Sequence, residues 1–191
     1  MRIAITGHRH GLGQSIFNKL TYYNKANQHE VIGFDIEDGY DISNRQVIGK
    51  VLYNIKDHDV FINNAYHPTG QTEVLKFLLK LWKDQNKILI NIGSFLINVN
   101  EPDDVTEDHQ IYFNEKRKQL SLIKEFYGPL KIIQVNPGFM QTEFLNKMEA
   151  PWQLSPEYCL QTIDVADVIV YALEMLEKNI YIPVIDLLDK R

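Results

Sequence analysis

The sequence has a single cysteine, Cys159, among its 191 residues, so no disulfide can form within the chain. This sparse cysteine usage fits a reducing compartment, and we expect a cytoplasmic protein. No apolar run approaches the ~18 residues of a membrane span. The N-terminal stretch "MRIAITGHRH" turns polar too early for a secretory signal. These absences predict a protein without a membrane partner.

The sequence also lacks a surplus of basic residues. It carries 20 Lys and Arg against 25 Asp and Glu, a formal net charge of -5. Because nucleic-acid binding needs positive charge to neutralise phosphates, we expect no nucleic-acid partner. The densest basic run, Lys116-Arg117-Lys118, fits the solvated face of a helix. No group of His, Cys, Asp and Glu has convincing metal-ligand spacing, so no metal is predicted.

Apolar residues make up 45% of the chain and charged residues 24%, which is ordinary for a globular protein. There is no repeat, low-complexity tract or linker, so residues 1–191 are predicted to form one domain. This length suffices to bury a core without covalent staples.

Short runs rich in Ile and Val alternate with segments of helical periodicity. Strands are predicted at 2–6, 30–34, 59–63, 87–92, 131–135 and, in "IYIPV", at 180–184. Helices are predicted at 12–24, 43–55, 72–84, 106–127 and 164–178. Nearly continuous apolar strands that alternate with helices indicate a parallel sheet covered on both faces. The fold class is therefore α/β, a Rossmann-type doubly wound sheet in three α/β/α layers.

Glycines follow the first predicted strand in "TGHRHGLG", at Gly7, Gly11 and Gly13. Glycine lets the backbone turn sharply and approach a pyrophosphate, which the N-terminus of the next helix would also attract. Asp35 ends the second strand, where a carboxylate would accept a hydrogen bond from a ribose 2′-hydroxyl. The alternative reading is that Asp35 merely starts a turn.

This acid favours NAD(H), because a carboxylate at Asp35 would repel the 2′-phosphate of NADP(H). Arg9 and His10 in the glycine loop weaken the preference, since either could face a phosphate. NADP(H) therefore stays open as the other cofactor.

A tyrosine and a lysine stand four positions apart at Tyr112 and Lys116, within a predicted helix. This spacing puts both side chains on one helix face. The same spacing recurs at Tyr127 and Lys131, but the intervening Gly128-Pro129 breaks the helix that would align that second pair.

With these residues assembled, the chain resembles the short-chain dehydrogenase/reductase family, as a shortened member. Six motifs occur in the family's order: "TGHRHGLG", "YDIS" (40–43), "NNAY" (63–66), "NIGS" (91–94), "YFNEK" (112–116) and "NPGFMQT" (136–142). Together they span residues 6 to 142, and the set is far more specific than any single motif.

The resemblance implies an oxidoreductase that exchanges a hydride between nicotinamide and a small carbonyl or secondary alcohol. Its implied catalytic residues are Ser94, Tyr112 and Lys116. Its implied cofactor-binding residues are Thr6, Gly7, His8, Arg9, His10, Gly11, Leu12, Gly13, Asp35, Ile36, Asp41, Ile42, Asn63, Asn64, Ala65, Tyr112, Lys116, Pro137, Gly138 and Thr142. Candidate walls of the substrate pocket are Tyr66, His67, Phe95, Phe139, Met140 and Trp152, of which the Phe, Met and Trp residues fit the core equally well.

In this reading Tyr112 is the acid or base, Ser94 holds the substrate oxygen and Lys116 stabilises the phenolate. An unperturbed tyrosine has a pKa of ~10, so lowering it to ~7 requires roughly 4 kcal/mol of differential stabilisation. A nearby ammonium has the right sign for this.

The chain also departs from the family pattern. An asparagine that anchors a proton-relay water beside the lysine has no clear counterpart, and threading the preceding helix back from Ser94 brings His67 or its neighbours near that position. Tyr66 replaces a glycine, and Glu115 stands where a small residue is usual. A catalytically weak dinucleotide-binding sensor or scaffold is therefore the alternative function. The resemblance also implies a homo-oligomer, a dimer or a tetramer.

Overall fold

The computed structural model describes residues 1–23, 29–98, 106–142 and 159–188. Its six strands are β1 (Arg2–Thr6), β2 (Glu30–Phe34), β3 (Val60–Asn63), β4 (Ile88–Ile92), β5 (Lys131–Pro137) and β6 (Val184–Leu187). Its α-helices are α1 (Gly11–Asn18), α2 (Arg45–Asn54), α3 (Gly70–Leu81), α4 (Glu107–Lys124) and α5 (Thr162–Glu177). A π-helical turn (Lys19–Tyr23) extends α1, and 3₁₀ turns cover Ile36–Asp38 and Phe95–Asn98.

The six strands form one sheet in the order β2-β1-β3-β4-β5-β6, and every neighbouring pair is parallel. The predicted doubly wound α/β sheet is thus confirmed. The chain moves from β1 outward to β2 and then crosses to β3 on the other side of β1. Such a reversal opens a crevice at the carboxyl ends of the two strands, which is where ligands bind in sheets of this kind.

Two apolar layers cover the sheet, which explains why the strands are apolar on both faces. On one face the buried side chains of α1 and α5 pack against β1, β3, β4 and β5. On the other face α2, α3 and α4 pack against the same sheet, with Trp82 and Phe61 fully buried there. Burying an aliphatic or aromatic side chain contributes about 1.5–3 kcal/mol.

The last strand lies four residues later than predicted. We expected it at "IYIPV", but strand pairing runs from Val184 to Leu187. Pro183 has no N–H to donate to a neighbouring strand. The hydroxyl of Tyr181 hydrogen-bonds the backbone of β5 instead. That hydroxyl accepts from the N–H of Ile132 at 3.1 Å and donates to its carbonyl at 2.6 Å. A side chain therefore satisfies backbone groups that a strand would have paired.

No helix within the described ranges is long and apolar enough to cross a membrane.

His58 lies in the turn between α2 and β3 and is 8% exposed. Neither of its ring nitrogens has a hydrogen-bond partner among the described residues. Burial lowers the pKa of His58 below its ordinary value of 6.5. The unfolded chain therefore takes up a proton that the folded chain excludes, and this costs stability as pH falls below about 6.5.

We expect His58→Leu to reduce the loss of stability between pH 7.5 and pH 5.5, as measured by urea unfolding at each pH. The difference from wild type isolates His58 from other titrating groups, including His29, whose pKa burial also lowers. Identical pH slopes in the two proteins would contradict a buried neutral histidine.

Candidate active site

A cleft of about 620 Å³ opens at the carboxyl ends of the central strands. Among the predicted site residues, those that line it are Gly7, His10, Gly11, Leu12, Gly13, Asp35, Ile36, Asp41, Ile42, Asn64, Ala65, Tyr66, His67, Tyr112, Lys116, Met140 and Thr142. Eight further residues, which the sequence motifs did not predict, also line the cleft: Gln14, Ser15, Phe34, Tyr40, Ile92, Gly93, Gln141 and Thr162. The volume falls within the range typical of small-molecule and cofactor sites.

The glycine turn at the start of the cleft is held by hydrogen bonds from the side chain of Asn64. Gly7 and Gly11 adopt φ values of 71° and 53°, which non-glycine residues rarely adopt. The amide of Asn64 donates to the carbonyls of Thr6 at 3.0 Å and Gly7 at 3.2 Å. A Cβ added at Gly13 would lie 1.8 Å from the Gly7 carbonyl oxygen. The turn and the first residues of α1 are therefore packed as one unit.

Thr6 connects this turn to the next strand. Its hydroxyl oxygen accepts from the N–H groups of Asn64 at 3.0 Å and Ala65 at 3.1 Å. Thr6 itself is fully buried, so it shapes the cleft from behind.

The N-terminus of α1 faces the cleft through Gly11, Leu12 and Gly13. His10 occupies the N-cap position without capping the helix through its side chain, and the first turn contains no acidic residue. The first-turn N–H groups and the positive end of the helix dipole therefore suit an anion such as a phosphate.

Acidic residues gather at the end of β2. Asp35 is buried and accepts from two backbone N–H groups, those of Arg9 and Glu37, each at 3.2 Å. Asp35 thereby caps the 3₁₀ turn, as the alternative reading expected, and it also lines the cleft. Its hydrogen bond to a ribose hydroxyl stays a prediction.

The two basic residues of the glycine loop are paired with acids. Nε of Arg9 donates to Asp38 at 2.9 Å, and a second guanidinium nitrogen of Arg9 contacts the other oxygen of the same carboxylate. His10 lies 2.6 Å from Glu37. The guanidinium holds the pKa of Asp38 below its usual value. His8 lies outside the lining, its ring over Gly33 and beside Phe17.

An apolar wall follows at Ile42, which is 6% exposed and belongs to the core on the α2 side. The Asp41 carboxylate accepts from the N–H of Ser43 at 2.9 Å, and this hydrogen bond lowers its pKa. Phe34 and Tyr40 pack edge to face beside them, with centroids 4.8 Å apart.

Ser94, Tyr112 and Lys116 meet at the opposite end of the cleft. The hydroxyl of Ser94 hydrogen-bonds the phenol of Tyr112. Nζ of Lys116 lies 5.5 Å from the ring centroid of Tyr112, from the next turn of α4. Ser94 is buried and is not among the described residues that line the cleft, so its hydroxyl acts on Tyr112 from the protein interior.

Burial shifts the ionisation of both Tyr112 and Lys116. Burial raises the pKa of Tyr112, and the hydrogen bond from Ser94 offsets only part of that effect. Burial lowers the pKa of Lys116 to about 7. The cost of desolvating a charge on Tyr112 therefore exceeds the stabilisation that the Ser94 hydrogen bond provides, and a phenolate of lowered pKa stays a prediction for the cofactor-bound protein.

Tyr66 adds an aromatic wall at the same place. Its ring lies 5.0 Å from that of Tyr112, edge to face, and 5.5 Å from Nζ of Lys116. Burial raises the pKa of Tyr66 as well. Next to it, Nδ1 of His67 accepts from the N–H of Gly70 at 3.2 Å and so caps α3 while lining the cleft.

The residue beside Lys116 that sequence reasoning missed is Gln71. Its Oε1 accepts from Nζ of Lys116 at 2.6 Å, so neither His67 nor an asparagine fills this position. Gln71, Val74, Leu75 and Leu78 are all fully buried on one face of α3. A glutamine within an apolar helical stripe was the available signal, because a buried amide requires partners.

The remaining predicted residues form the support of the cleft. Asn63 is fully buried, and its amide donates to Asn91 at 2.8 Å. The N–H of Gly138 donates to the carbonyl of Leu187 at 2.8 Å, which connects the end of β5 to β6. The described residues that line the cleft do not include Asn63, Gly138, Arg9, Pro137, Phe95 and Phe139.

Trp152, residues 99–105 and the segment directly after Thr142 lie outside the described residues. Within the described ranges, no group of three or more His, Cys, Asp or Glu could hold a metal ion.

The fold of this chain is similar to that of several solved structures. A short-chain dehydrogenase from Burkholderia cenocepacia in complex with NADP superposes with a TM-score of 0.68 at 18% identity, covering 97% of this chain and 87% of that one. The fold is that of the short-chain dehydrogenases. A 3-alpha-hydroxysteroid dehydrogenase from a Pseudomonas species complexed with NADH gives a TM-score of 0.69 at 16% identity, over 97% and 94% of the two chains.

A third structure of this fold, a 3-ketoacyl-(acyl-carrier-protein) reductase from Brucella melitensis complexed with NADH, gives a TM-score of 0.67 at 15% identity over 97% and 95% of the chains. No protein-family model matches the sequence. No curated protein matches it either. At these identities the similarity establishes the fold alone.

Proposed function

We propose that this chain is a nicotinamide-dinucleotide-dependent oxidoreductase of the short-chain dehydrogenase/reductase type. Its substrate class is a small carbonyl compound or secondary alcohol. The observation that carries the proposal is the joint position of Tyr112 and Lys116 in one cleft with the glycine turn and the N-terminus of α1.

The residues present fit a dinucleotide along the whole cleft. The N-terminus of α1 suits the pyrophosphate, Asp35 a ribose hydroxyl, and Ile42 with Phe34 an adenine face. Lys116 and Thr142 line the cleft toward the nicotinamide end. When bound, the cofactor supplies or accepts the hydride.

Tyr112 is the general acid that donates the proton. Since burial raises its pKa, the phenol keeps its proton at neutral pH. A protonated phenol is the form that can donate to the oxygen of a carbonyl as negative charge develops there. Tyr112 therefore has the protonation state that carbonyl reduction requires, and Ser94 orients its phenol.

NAD(H) is the favoured cofactor, with NADP(H) as the alternative. Asp35, Glu37 and Asp38 bring three carboxylates to the end of β2, against one permanent cation, Arg9. The guanidinium of Arg9 is already paired with Asp38, so a 2′-phosphate would have to displace a carboxylate from it. Like charge at short range disfavours that exchange.

Asp35→Asn is expected to raise the affinity for NADPH relative to NADH by about tenfold, or about 1.4 kcal/mol. Asparagine keeps one acceptor oxygen for the turn and removes the negative charge. Titration of each cofactor by fluorescence measures the ratio, and Asp164→Asn, on the exposed first turn of α5, is the matched control. A wild-type preference for NADPH, or an unchanged ratio in Asp35→Asn, contradicts the assignment.

The second candidate is a dinucleotide-bound sensor with weak turnover. The pKa of about 7 at Lys116 favours it, because a partly neutral amine stabilises a phenolate less than an ammonium does. The two functions separate in one assay, in which NADH oxidation at 340 nm is followed with a panel of aldehydes and ketones. Turnover of any panel member supports the enzyme, whereas NADH binding without turnover supports the sensor.

The extent of the domain over residues 1–191 and a homo-oligomeric state stay predictions. Size-exclusion chromatography with light scattering gives the oligomeric state directly.

A further inference from the structure

Gln71 lies in the first turn of α3 with its side chain fully buried. Its amide nitrogen donates to the carbonyl of Asn63 at 2.9 Å and to that of Ile92 at 3.1 Å. Carbonyl oxygens can only accept, so the NH₂ group has to face these two strand ends. The amide oxygen must then point the other way, toward α4. Backbone groups of β3 and β4 therefore fix the orientation of Gln71.

Two side chains of α4 donate to that oxygen. Nζ of Lys116 lies 2.6 Å from it, and Nε2 of Gln119 lies 3.3 Å from it. Nε2 of Gln119 also donates to the hydroxyl of Thr72 at 3.2 Å. Lys116 and Gln119 lie three positions apart and so share a helix face.

The side-chain amides beyond Gln119 are also oriented by hydrogen bonds, in which each NH₂ group donates to the oxygen of the next side chain. Nδ2 of Asn91 donates to Gln119 at 3.2 Å and to Gln134 at 3.0 Å. Gln134 donates to Asn136 at 2.7 Å, and Asn136 donates to the carboxylate of Asp186 at 2.8 Å. An ionised carboxylate only accepts, so it orients each amide in turn. The network thus holds the NH₂ of Gln119, and not its oxygen, toward Gln71.

Lys116 has two acceptors in this network. Besides Gln71, its Nζ donates to the carbonyl of Ile92 at 2.8 Å. An ammonium has three N–H bonds, so one direction remains for the cleft, where the rings of Tyr66 and Tyr112 each lie 5.5 Å away. Among the described residues, no carboxylate forms an ion pair with Lys116.

We propose that Gln71 is the positioning residue of Lys116, holding its amine by direct contact so that a single N–H is directed into the cleft. The proposal rests on the proposed function only because that function assigns Lys116 as the lysine that acts beside Tyr112. The direct contact occupies the side of the lysine at which a water could otherwise approach from α3. Proton exchange at Lys116 then has to take place through the cleft.

Because Gln71 is neutral, it stabilises the ammonium by a dipole and not by an opposite charge. Most of the free energy of desolvating the ammonium is therefore not offset, in agreement with a pKa of about 7 at Lys116. Removing the amide oxygen should lower this pKa further, and a carboxylate in its place should raise it.

The test measures the ionisation of Lys116 in the protein without cofactor, by NMR of the lysine side chains in ¹³C,¹⁵N-lysine-labelled protein. Lys116→Arg assigns the resonance. We expect Gln71→Met to lower the pKa of Lys116 by at least one unit and Gln71→Glu to raise it by at least one unit. Gln71→Glu also sets an oxygen against the carbonyls of Asn63 and Ile92, so its midpoint of urea unfolding should fall.

Thr72→Val is the matched control. It removes a buried hydrogen bond to Gln119 without touching Lys116, so it should lower stability and leave the pKa of Lys116 within about 0.3 units. A purely structural role for Gln71 predicts that all three variants lose stability and none moves that pKa, and this result would overturn the proposal.

A wild-type measurement covers the case in which a variant does not fold. The side-chain amide resonances of Gln71 should titrate with the same midpoint as Lys116, and resonances that do not respond to pH overturn the proposal. Neither readout involves a cofactor. Loss of NADH binding alone would therefore contradict the proposed function and leave the role of Gln71 intact.

Discussion

Tyr112→Phe is expected to reduce turnover by about 10²- to 10⁴-fold, the usual contribution of a positioned general acid. The substitution removes only the hydroxyl, and the ring keeps its packing against Tyr66 at 5.0 Å. Affinity for NADH should therefore change by less than about threefold. The measurement is the steady-state rate of NADH oxidation with the carbonyl compound that the panel identifies.

Tyr127→Phe is the matched control for this experiment. Tyr127 has the same spacing to Lys131, but it is 84% exposed and lies beyond the end of α4. Its loss should leave turnover unchanged. Equal rates for Tyr112→Phe and wild type would exclude Tyr112 as the acid, and equal losses in both variants would point to a general effect on the fold.

Gly13→Ala is expected to destabilise the protein by about 3 kcal/mol, at the upper end of the cost of overpacking. The added Cβ would lie 1.8 Å from the carbonyl oxygen of Gly7 and 2.5 Å from Nδ2 of Asn64. Neither atom can move away easily, because the same two groups hydrogen-bond each other at 3.2 Å. Urea unfolding followed by circular dichroism measures the change, and NADH affinity should fall with it.

Gly49→Ala provides the opposite case within α2. A Cβ at Gly49 would meet no atom within 4 Å, so alanine gains helix propensity without a clash. We expect a gain of about 0.5–1 kcal/mol. If both alanine variants change stability by the same amount, the close packing at Gly13 is not the cause.

The sheet and most of its elements could be predicted because their signals are local. The strands are short apolar runs, and five of the six lie within two residues of the predicted bounds. β6 was misplaced because its start depends on Tyr181, whose hydroxyl bonds the backbone of Ile132 about fifty positions away. A contact between distant parts of the chain leaves no trace in local periodicity.

In the candidate site, too, motifs within one segment could be recognised from the sequence, whereas contacts between elements could not. Motif order located Tyr112 and Lys116, and the structure brings both into one cleft. Their ionisation could not be predicted in this way, because it depends on how far folding removes water from each group. Gln71 was missed for a related reason, since a glutamine is recognised as a partner of Lys116 only when α3 and α4 are packed together.

The most direct test of dinucleotide binding in this cleft is a titration of the wild-type protein with NADH, followed by the fluorescence of the reduced nicotinamide. A cleft that holds the dinucleotide from the N-terminus of α1 to Lys116 should shield the nicotinamide from water. We expect saturable binding at one site per chain, with enhanced and blue-shifted emission. Emission that rises linearly with NADH and equals that of free NADH would contradict it.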